Sequence, residues 1–394
     1  MKKILFIPSP LLPFPPTKGG AVQNLLNFIV EDNEVVKKNE IEVISFYNKE
    51  AEYIASQYKN CKVNFINIPD LFIALRDKHI KYVSGRFAMI VEKIYIQQIK
   101  RVLKKKKFDV VVFENTYKYA YTMNKYLRNT YKVLHLHNDY LNSDNMKCKM
   151  YADSFDEIAC VSMYIENRVK EISAVKTFIL YNGIDTERFI SNDITRERVR
   201  KELKINDNEK VILFSGRIVK GKGVLELIKA YNKLESELNA VLLIIGSKIY
   251  GENITDEYSK EVLNEIRLSN GKVIMTGYID YNKINEYYAA ADIGVLPSIE
   301  VEALPLSVIE YLSAGLPVVI SNLGGTPEIL NEECGYIVKK DESYIDELYD
   351  KIKNLVSNKP LYNKCSIAAK ERAKKFNKFT FCNNMWNFID SINK

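Results

Sequence analysis

A chain of 394 residues with 47% apolar and 27% charged residues has an ordinary globular composition, which excludes bulk disorder and fibrous repeats. Its length points to two or three domains, and no uninterrupted apolar run reaches the ~18 residues of a membrane span. The net charge of +7 is uneven: residues 1–190 hold 29 Lys/Arg against 21 Asp/Glu, and the remainder 28 against 29. The N-terminal half is therefore the part expected to attract anionic partners.

The first predicted element is a buried strand at Ile4–Pro8, and Met1–Pro8 has too short an apolar stretch for a signal peptide. Further strands are expected at Glu42–Phe46, Lys62–Ile66, Val110–Glu114, Lys132–His137, Glu157–Val161 and Phe178–Tyr181. A second block follows at Val211–Ser215, Ala240–Gly246, Val273–Thr276, Ile293–Pro297, Pro317–Ser321 and Gly335–Val338. Runs apolar on both faces, separated by helical stretches, predict parallel sheets covered on both sides. The βαβ alternation occurs twice, so the fold class is α/β with two doubly wound domains. The polar stretch Asn182–Asn208 separates the blocks, with the boundary placed at 190/191. Residues 379–394 form a final helix.

Arg86–Lys107 is predicted to be a helix with Phe87, Ile90, Val91, Ile94, Ile99, Val102 and Leu103 on its apolar face. Its other face is basic and ends in Lys104–Lys107. Two uses stay open, a core-packed helix with a solvated lysine tail and a face resting on anionic lipid. The six cysteines have no C-x-x-C spacing, which disfavours zinc and disulfides and fits a cytoplasmic protein. No nucleic-acid-binding motif accompanies the positive charge.

Three groups of residues could carry chemistry. Gly19-Gly20 follows the first strand and opens a helix, where backbone amides can approach an anion; the dinucleotide fingerprint G-x-G-x-x-G is missing. In the second half, Gly216-Arg217 lies just past a strand and Lys222 begins the next helix. Ligands bind beyond the carboxyl ends of such strands, and a planar fork with a point charge suits a diphosphate. The third group follows Ile293–Pro297: Glu302 precedes a helix, Pro305 suits its first turn, and Glu310 lies among Val308, Ile309, Tyr311 and Leu312. A carboxylate so placed needs hydrogen bonds, which a ribose diol could donate. His135 and His137 share a strand face, yet a metal needs a third ligand and no His or Cys is nominated by spacing. His137 is at the ligand-binding end, and His135 and His79 are read as structural. D-x-D is absent, so no metal-chelating acidic pair is visible.

Lys18-Gly19-Gly20, His137-Asn138, Asn182-Gly183-Ile184-Asp185, Gly216-Arg217 with Lys222-Gly223, Glu302-x7-Glu310, Ala314–Val319 and Gly324–Glu328 occur in the order seen in family 4 glycosyltransferases. The chain resembles that family over nearly its whole length, and Ile245–Asn253 with Ser321–Gly325 look like its spore-coat polysaccharide branch. The resemblance implies the GT-B fold, two Rossmann-like domains facing a cleft, with the last helix packed back on the N-terminal domain. It implies a retaining, metal-independent transferase that takes a sugar from a nucleotide sugar, UDP-linked by preference, to a glycan or lipid-linked acceptor of the envelope or coat, at the inner face of the membrane. Arg217 and Lys222 would bind the diphosphate, Glu310 the ribose, and Glu302 and His137 the transferred sugar. Gly19 and Gly20 would close over the phosphates, and Tyr278 and Ile279 would border the base. Gly216, Gly246, Leu304 and Leu306 complete the implied donor site. The family often has Glu-Gly-Phe-Gly-Leu where this chain has Glu302-Ala303-Leu304-Pro305-Leu306, and Pro305 has no N–H to donate. No cofactor is expected. A glycoside phosphorylase and a catalytically silent sugar-nucleotide binder are the alternatives.

Overall fold

The computed structural model describes residues 1–392 apart from 11, 18–19, 68–84, 235–236 and 248–256. It divides into unit 1, Met1–Tyr181 with Phe381–Lys394, and unit 2, Asn182–Thr380.

Among the described residues, unit 1 contains a seven-stranded sheet in the order β3-β2-β1-β4-β5-β6-β7. The strands are β1 Lys3–Ile7, β2 Glu40–Phe46, β3 Cys61–Ile66, β4 Val110–Glu114, β5 Tyr131–Leu136, β6 Glu157–Cys160 and β7 Lys176–Ile179. All pairings are parallel. β1 and β4 are apolar on both faces, and residues 4–7 and 110–113 are fully buried, as a sheet flanked by helices requires. The helix Lys378–Ser391 completes this core: Phe381, Cys382, Met385, Trp386 and Ile389 recur at helical spacing and pack with Ile4, Phe6 and Val30. Trp386 Nε1 donates to Asp32 at 2.6 Å. Lys2 Nζ donates to the Ile392 carbonyl at 2.7 Å, a cation at the helix C-terminus, where the dipole favours it.

Among the described residues, unit 2 contains a six-stranded parallel sheet in the order β10-β9-β8-β11-β12-β13. Its strands are β8 Lys210–Ser215, β9 Ala240–Ile245, β10 Lys272–Gly277, β11 Ile293–Leu296, β12 Val318–Ser321 and β13 Gly335–Val338. In each unit the strand order steps outward and then reverses, between β1 and β4 and between β8 and β11. Ligands of doubly wound sheets bind beyond the strand ends at this switch point.

Two expectations change. The unit boundary falls at 181/182, not 190/191, because residues 182–190 are built into unit 2. Ile184 N donates to the Phe376 carbonyl at 2.9 Å, and the Phe189 ring packs 5.4 Å from Tyr288. The basic helix runs Gly85–Lys105 and buries Tyr95, Ile99 and Leu103, while Ile90 is 45% exposed. Of the predicted apolar face, Ile99 and Leu103 are buried, Val91, Ile94 and Val102 half-buried and Ile90 exposed, and Tyr95 adds a buried ring to it. Its hydroxyl donates to the Pro8 carbonyl at 2.8 Å. Phe87, His79 and the 248–253 part of the branch motif lie outside what can be described of side chains and backbone.

Candidate active site

Lys222 and Glu302 are 80 residues apart and form an ion pair. Lys222 Nζ lies 2.5 Å from Glu302 Oε1, and each side chain keeps 17% of its surface exposed. The Ser298 hydroxyl, on a residue 1% exposed, donates to the same oxygen at 2.8 Å. Local backbone chemistry builds this meeting. Lys222 ends a 3-10 turn, Lys220–Lys222, that precedes the helix Val224–Leu234. The Gly221 carbonyl accepts from Ile299 N at 2.9 Å and from Glu300 N at 3.2 Å, which ties this turn to the loop after β11. Gly223 has φ +68°, and a Cβ there would sit 1.8 Å from the Pro297 carbonyl oxygen. At Gly324, φ +62°, a Cβ would sit 2.1 Å from the Glu302 carbonyl oxygen, and Gly325 N donates to that carbonyl at 2.8 Å. Only glycine allows both the left-handed backbone and the approach. Glu302 is thus fixed from its backbone by 324–325 and from its carboxylate by Ser298 and Lys222.

The other predicted donor residues surround the same switch point at the ends of β8 to β11. Arg217 is exposed two residues past β8. Gly216 N donates to the Ile245 carbonyl at 3.0 Å, and Gly246 N to the Gly277 carbonyl at 2.9 Å, so three strand ends are stitched side by side. Tyr278, next in chain, is 37% exposed, and Ile279 is half-buried. Leu304 and Pro305 are buried and Leu306 half-buried. Pro305 is the N-cap of the helix Leu306–Ser313 rather than part of its first turn, with ψ 119° in the extended region; its missing N–H takes nothing from the helix there. The helix is short and its first turn holds no acidic residue, so its amide end stays positive.

Glu310 is buried at 5% exposure, which excludes the exposed surface glutamate that a one-sided helix would give. Tyr288 Oη donates to its Oε2 at 2.8 Å, and Tyr281 also hydrogen-bonds to it. The Arg188 guanidinium lies 4.3 Å over the Tyr281 ring. Burial pushes the Glu310 carboxyl above its ordinary range, against the hydrogen bond from Tyr288, the charge of Arg188 and the hydrogen bond from Tyr281. The donors expected from a ribose are therefore supplied in part by two phenols. A carboxylate offers about four acceptor positions, so hydroxyls can still be added. Sequence reasoning missed Tyr281, Tyr288, Arg188 and Ser298. Only Ser298 leaves a trace, a hydroxyl four residues before the glutamate.

Gly20 and His137 lie in unit 1, and Gly19 falls outside the described residues. Gly20 has φ +108° and precedes the helix Ala21–Val36. His137 immediately follows β5, as expected of a ligand-facing position, but its side chain is only 5% exposed and its Nε2 lies 2.8 Å from Glu114 Oε2. His135 Nδ1 lies 2.9 Å from the same oxygen. Glu114 ends β4 in register with His135. This acid is the third group the H-x-H pair lacked in sequence, 21 residues upstream and visible only through strand pairing. Burial pushes the Glu114 carboxyl up; the two imidazoles outweigh it and hold the carboxyl below its ordinary range.

Residues 195–372 match the protein family described as Glycosyl transferases group 1. The chain is 27% identical to Spore coat protein SA of Bacillus subtilis over 86% of each chain. It is 25% identical to the lipopolysaccharide 1,2-N-acetylglucosaminetransferase of Salmonella typhimurium over 97% of this chain and 96% of that one. In fold it is similar to the crystal structure of HepE from Anabaena in complex with UDP, with a TM-score of 0.77 and 18% identity over the whole of both chains. Among the described residues no helix is long and apolar enough to cross a membrane.

Proposed function

Because this chain is a glycosyltransferase of group 1 on the GT-B fold, we propose that it moves a sugar from a UDP-sugar to a glycan or lipid-linked acceptor in envelope or coat polysaccharide synthesis. The transfer retains anomeric configuration, needs no metal, and belongs to family 4 chemistry in the cytoplasm. The observation that carries this reading is the Lys222–Glu302 pair at the β8/β11 switch point, with Arg217 exposed two residues past β8.

As the bond from C1 to the donor phosphate breaks, its electron pair goes to the phosphate oxygen and charge grows there. Fixed cations and amides stabilise such charge best. Arg217 and Lys222 hold the diphosphate with the amide end of Leu306–Ser313. Lys222 is already beside Glu302, so the diphosphate takes the ammonium while Ser298 keeps the carboxylate in place for the sugar hydroxyls. The acceptor oxygen bonds to C1 on the face the leaving group vacates, and its proton passes to the departing phosphate oxygen. No protein base is then required. Glu310 grips the ribose, and Tyr278 and Ile279 border the base. HepE, which binds UDP, and the Salmonella N-acetylglucosaminetransferase support this reading by likeness.

Purified protein incubated with UDP- and GDP-sugars in EDTA tests it. Release of UDP is expected. Activity that EDTA abolishes and manganese restores would contradict it. Met89 and Ile90 are exposed on the helix that carries the basic face, with Lys93, Arg101, Lys104 and Lys105, which favours peripheral contact with anionic membrane. Sedimentation with anionic vesicles at low salt should carry the protein down, and its absence would leave a solvated face.

A further inference from the structure

Two phenols converge on the buried carboxylate of Glu310, all three residues lying in unit 2. Tyr288 Oη donates to Glu310 Oε2 at 2.8 Å, and Tyr281 hydrogen-bonds to the same carboxylate. An ionised carboxylate only accepts, at about four positions. Both phenols therefore direct their protons at it, and about two positions remain. Among the described residues no other side chain hydrogen-bonds to Glu310, which keeps 5% of its surface exposed.

Packing holds the two phenols differently. Tyr288 is fully buried on the helix Ile284–Ala289, its ring 5.4 Å from Phe189 and 5.4 Å from Tyr311. Ser215, the last residue of β8, hydrogen-bonds to Tyr288 through its hydroxyl and donates from its backbone N to Tyr311 Oη at 2.6 Å. Tyr281 is only half-buried and stands two residues past Ile279, in the loop that follows β10. Its ring is covered by the Arg188 guanidinium at 4.3 Å, a cation–π contact supplied by the turn Thr186–Phe189. Burial pushes the Glu310 carboxyl up, and the Tyr288 hydrogen bond and the Arg188 charge oppose it. Arg188 thus acts on the carboxylate twice, through its charge and through the ring it holds.

We propose that Tyr281, held by Arg188, is a positioning residue for Glu310: together with Tyr288 it leaves the carboxylate two acceptor positions, one for each hydroxyl of a vicinal diol, so that unit 2 selects ribonucleotides over deoxyribonucleotides. This rests on the reading of Glu310 as the ribose contact. A ribose diol fills both positions. A 2′-deoxyribose fills one and leaves a buried acceptor unpaired, which costs more than the bond itself. Without the Tyr281 hydroxyl the carboxylate gains a third position and loses its fixed direction, and the distinction between the two sugars fades.

Calorimetric titration of UDP and of 2′-deoxy-UDP into the full-length protein in EDTA tests this. The wild type should bind UDP about 10–100-fold more tightly, the loss of one hydrogen bond to a charged group. Tyr281→Phe should cut that ratio by about fivefold or more, through weaker UDP binding, with the affinity for 2′-deoxy-UDP held within about twofold. Arg188→Gln should cut the ratio less, and Arg188→Lys, which keeps a cation over the ring, should restore part of it. Equal binding of the two nucleotides by the wild type, an unchanged ratio in Tyr281→Phe, or a loss in Tyr281→Phe that weakens both nucleotides alike would overturn the proposal. A wild type that shows the expected ratio but transfers no sugar would sink the transferase reading and leave this one standing. A wild type that transfers sugar but binds both nucleotides equally would do the reverse.

Discussion

Unit 1 keeps its carboxylate–histidine cluster out of water, and unit 2 leaves part of its ion-pair cluster open. Glu114, His135 and His137 have side chains 2%, 1% and 5% exposed. Lys222 and Glu302 are 17% exposed, and Arg217 is exposed outright. The difference fits the proposed function: an ion pair that is to release its lysine to a diphosphate has to stay within reach of solvent and ligand, because a fully buried pair would leave an uncompensated charge on separation. A second contrast lies in the partners of the two buried carboxylates. Burial pushes Glu114 up, and its contacts with two imidazoles outweigh that and hold it down. The phenols around Glu310 bring hydrogen bonds without charge, and burial wins.

The sharpest break of this contrast is Lys222→Ala. Removing one charge-stabilising donor should lower the transfer rate by roughly 10²–10³, read as UDP release at saturating donor. Unchanged kinetics would remove the open pair from the site. Next in size, Ser298→Ala frees the Glu302 carboxylate to follow Lys222. The expected loss is about tenfold in kcat, from one hydrogen bond to a charged group of roughly 1.5–3 kcal/mol partly replaced by water. An equal rate would show that Lys222 alone fixes Glu302.

Much of this could be read in the sequence, and the rest could not, for a physical reason. The strands were visible because β-branched runs buried on both faces have few other uses, and Lys222, Glu302 and Glu310 stood out by their places at strand ends and in an apolar helix. The Lys222–Glu302 bond depends on left-handed Gly223 and Gly324 bringing two loops together, which spacing does not encode. Glu114 is joined to His135 by the register of two strands, and a one-residue slip would separate them. The bulky Tyr95, absent from the predicted apolar face, claims the buried stripe of its helix through its ring and hydroxyl.

Smaller effects separate the two buried carboxylates by pH. Glu310 has a folded value raised above its ordinary 4.5. Its contribution to stability is present below that pH and is lost as pH rises through the raised value. Glu310→Gln should therefore gain on the wild type as pH increases from 4.5. Glu114 has a lowered value, so its contribution is present above 4.5 and lost as pH falls, and Glu114→Gln should gain toward acid. Urea unfolding across pH 3–8 measures both, and parallel curves for variant and wild type would remove the contrast. Smallest of all, Gly325→Ala should alter stability by under about 1 kcal/mol, because Gly325 has φ −85°, which alanine adopts freely. A larger loss by the same urea measurement would mean that the brace on Glu302 depends on both glycines.

Calorimetric titration of UDP into the wild type and Lys222→Ala, both in EDTA, tests the central claim most directly. Binding without metal is expected, weakened at least tenfold by the substitution. Equal affinities in the two proteins, or no binding until a divalent cation is added, would contradict it.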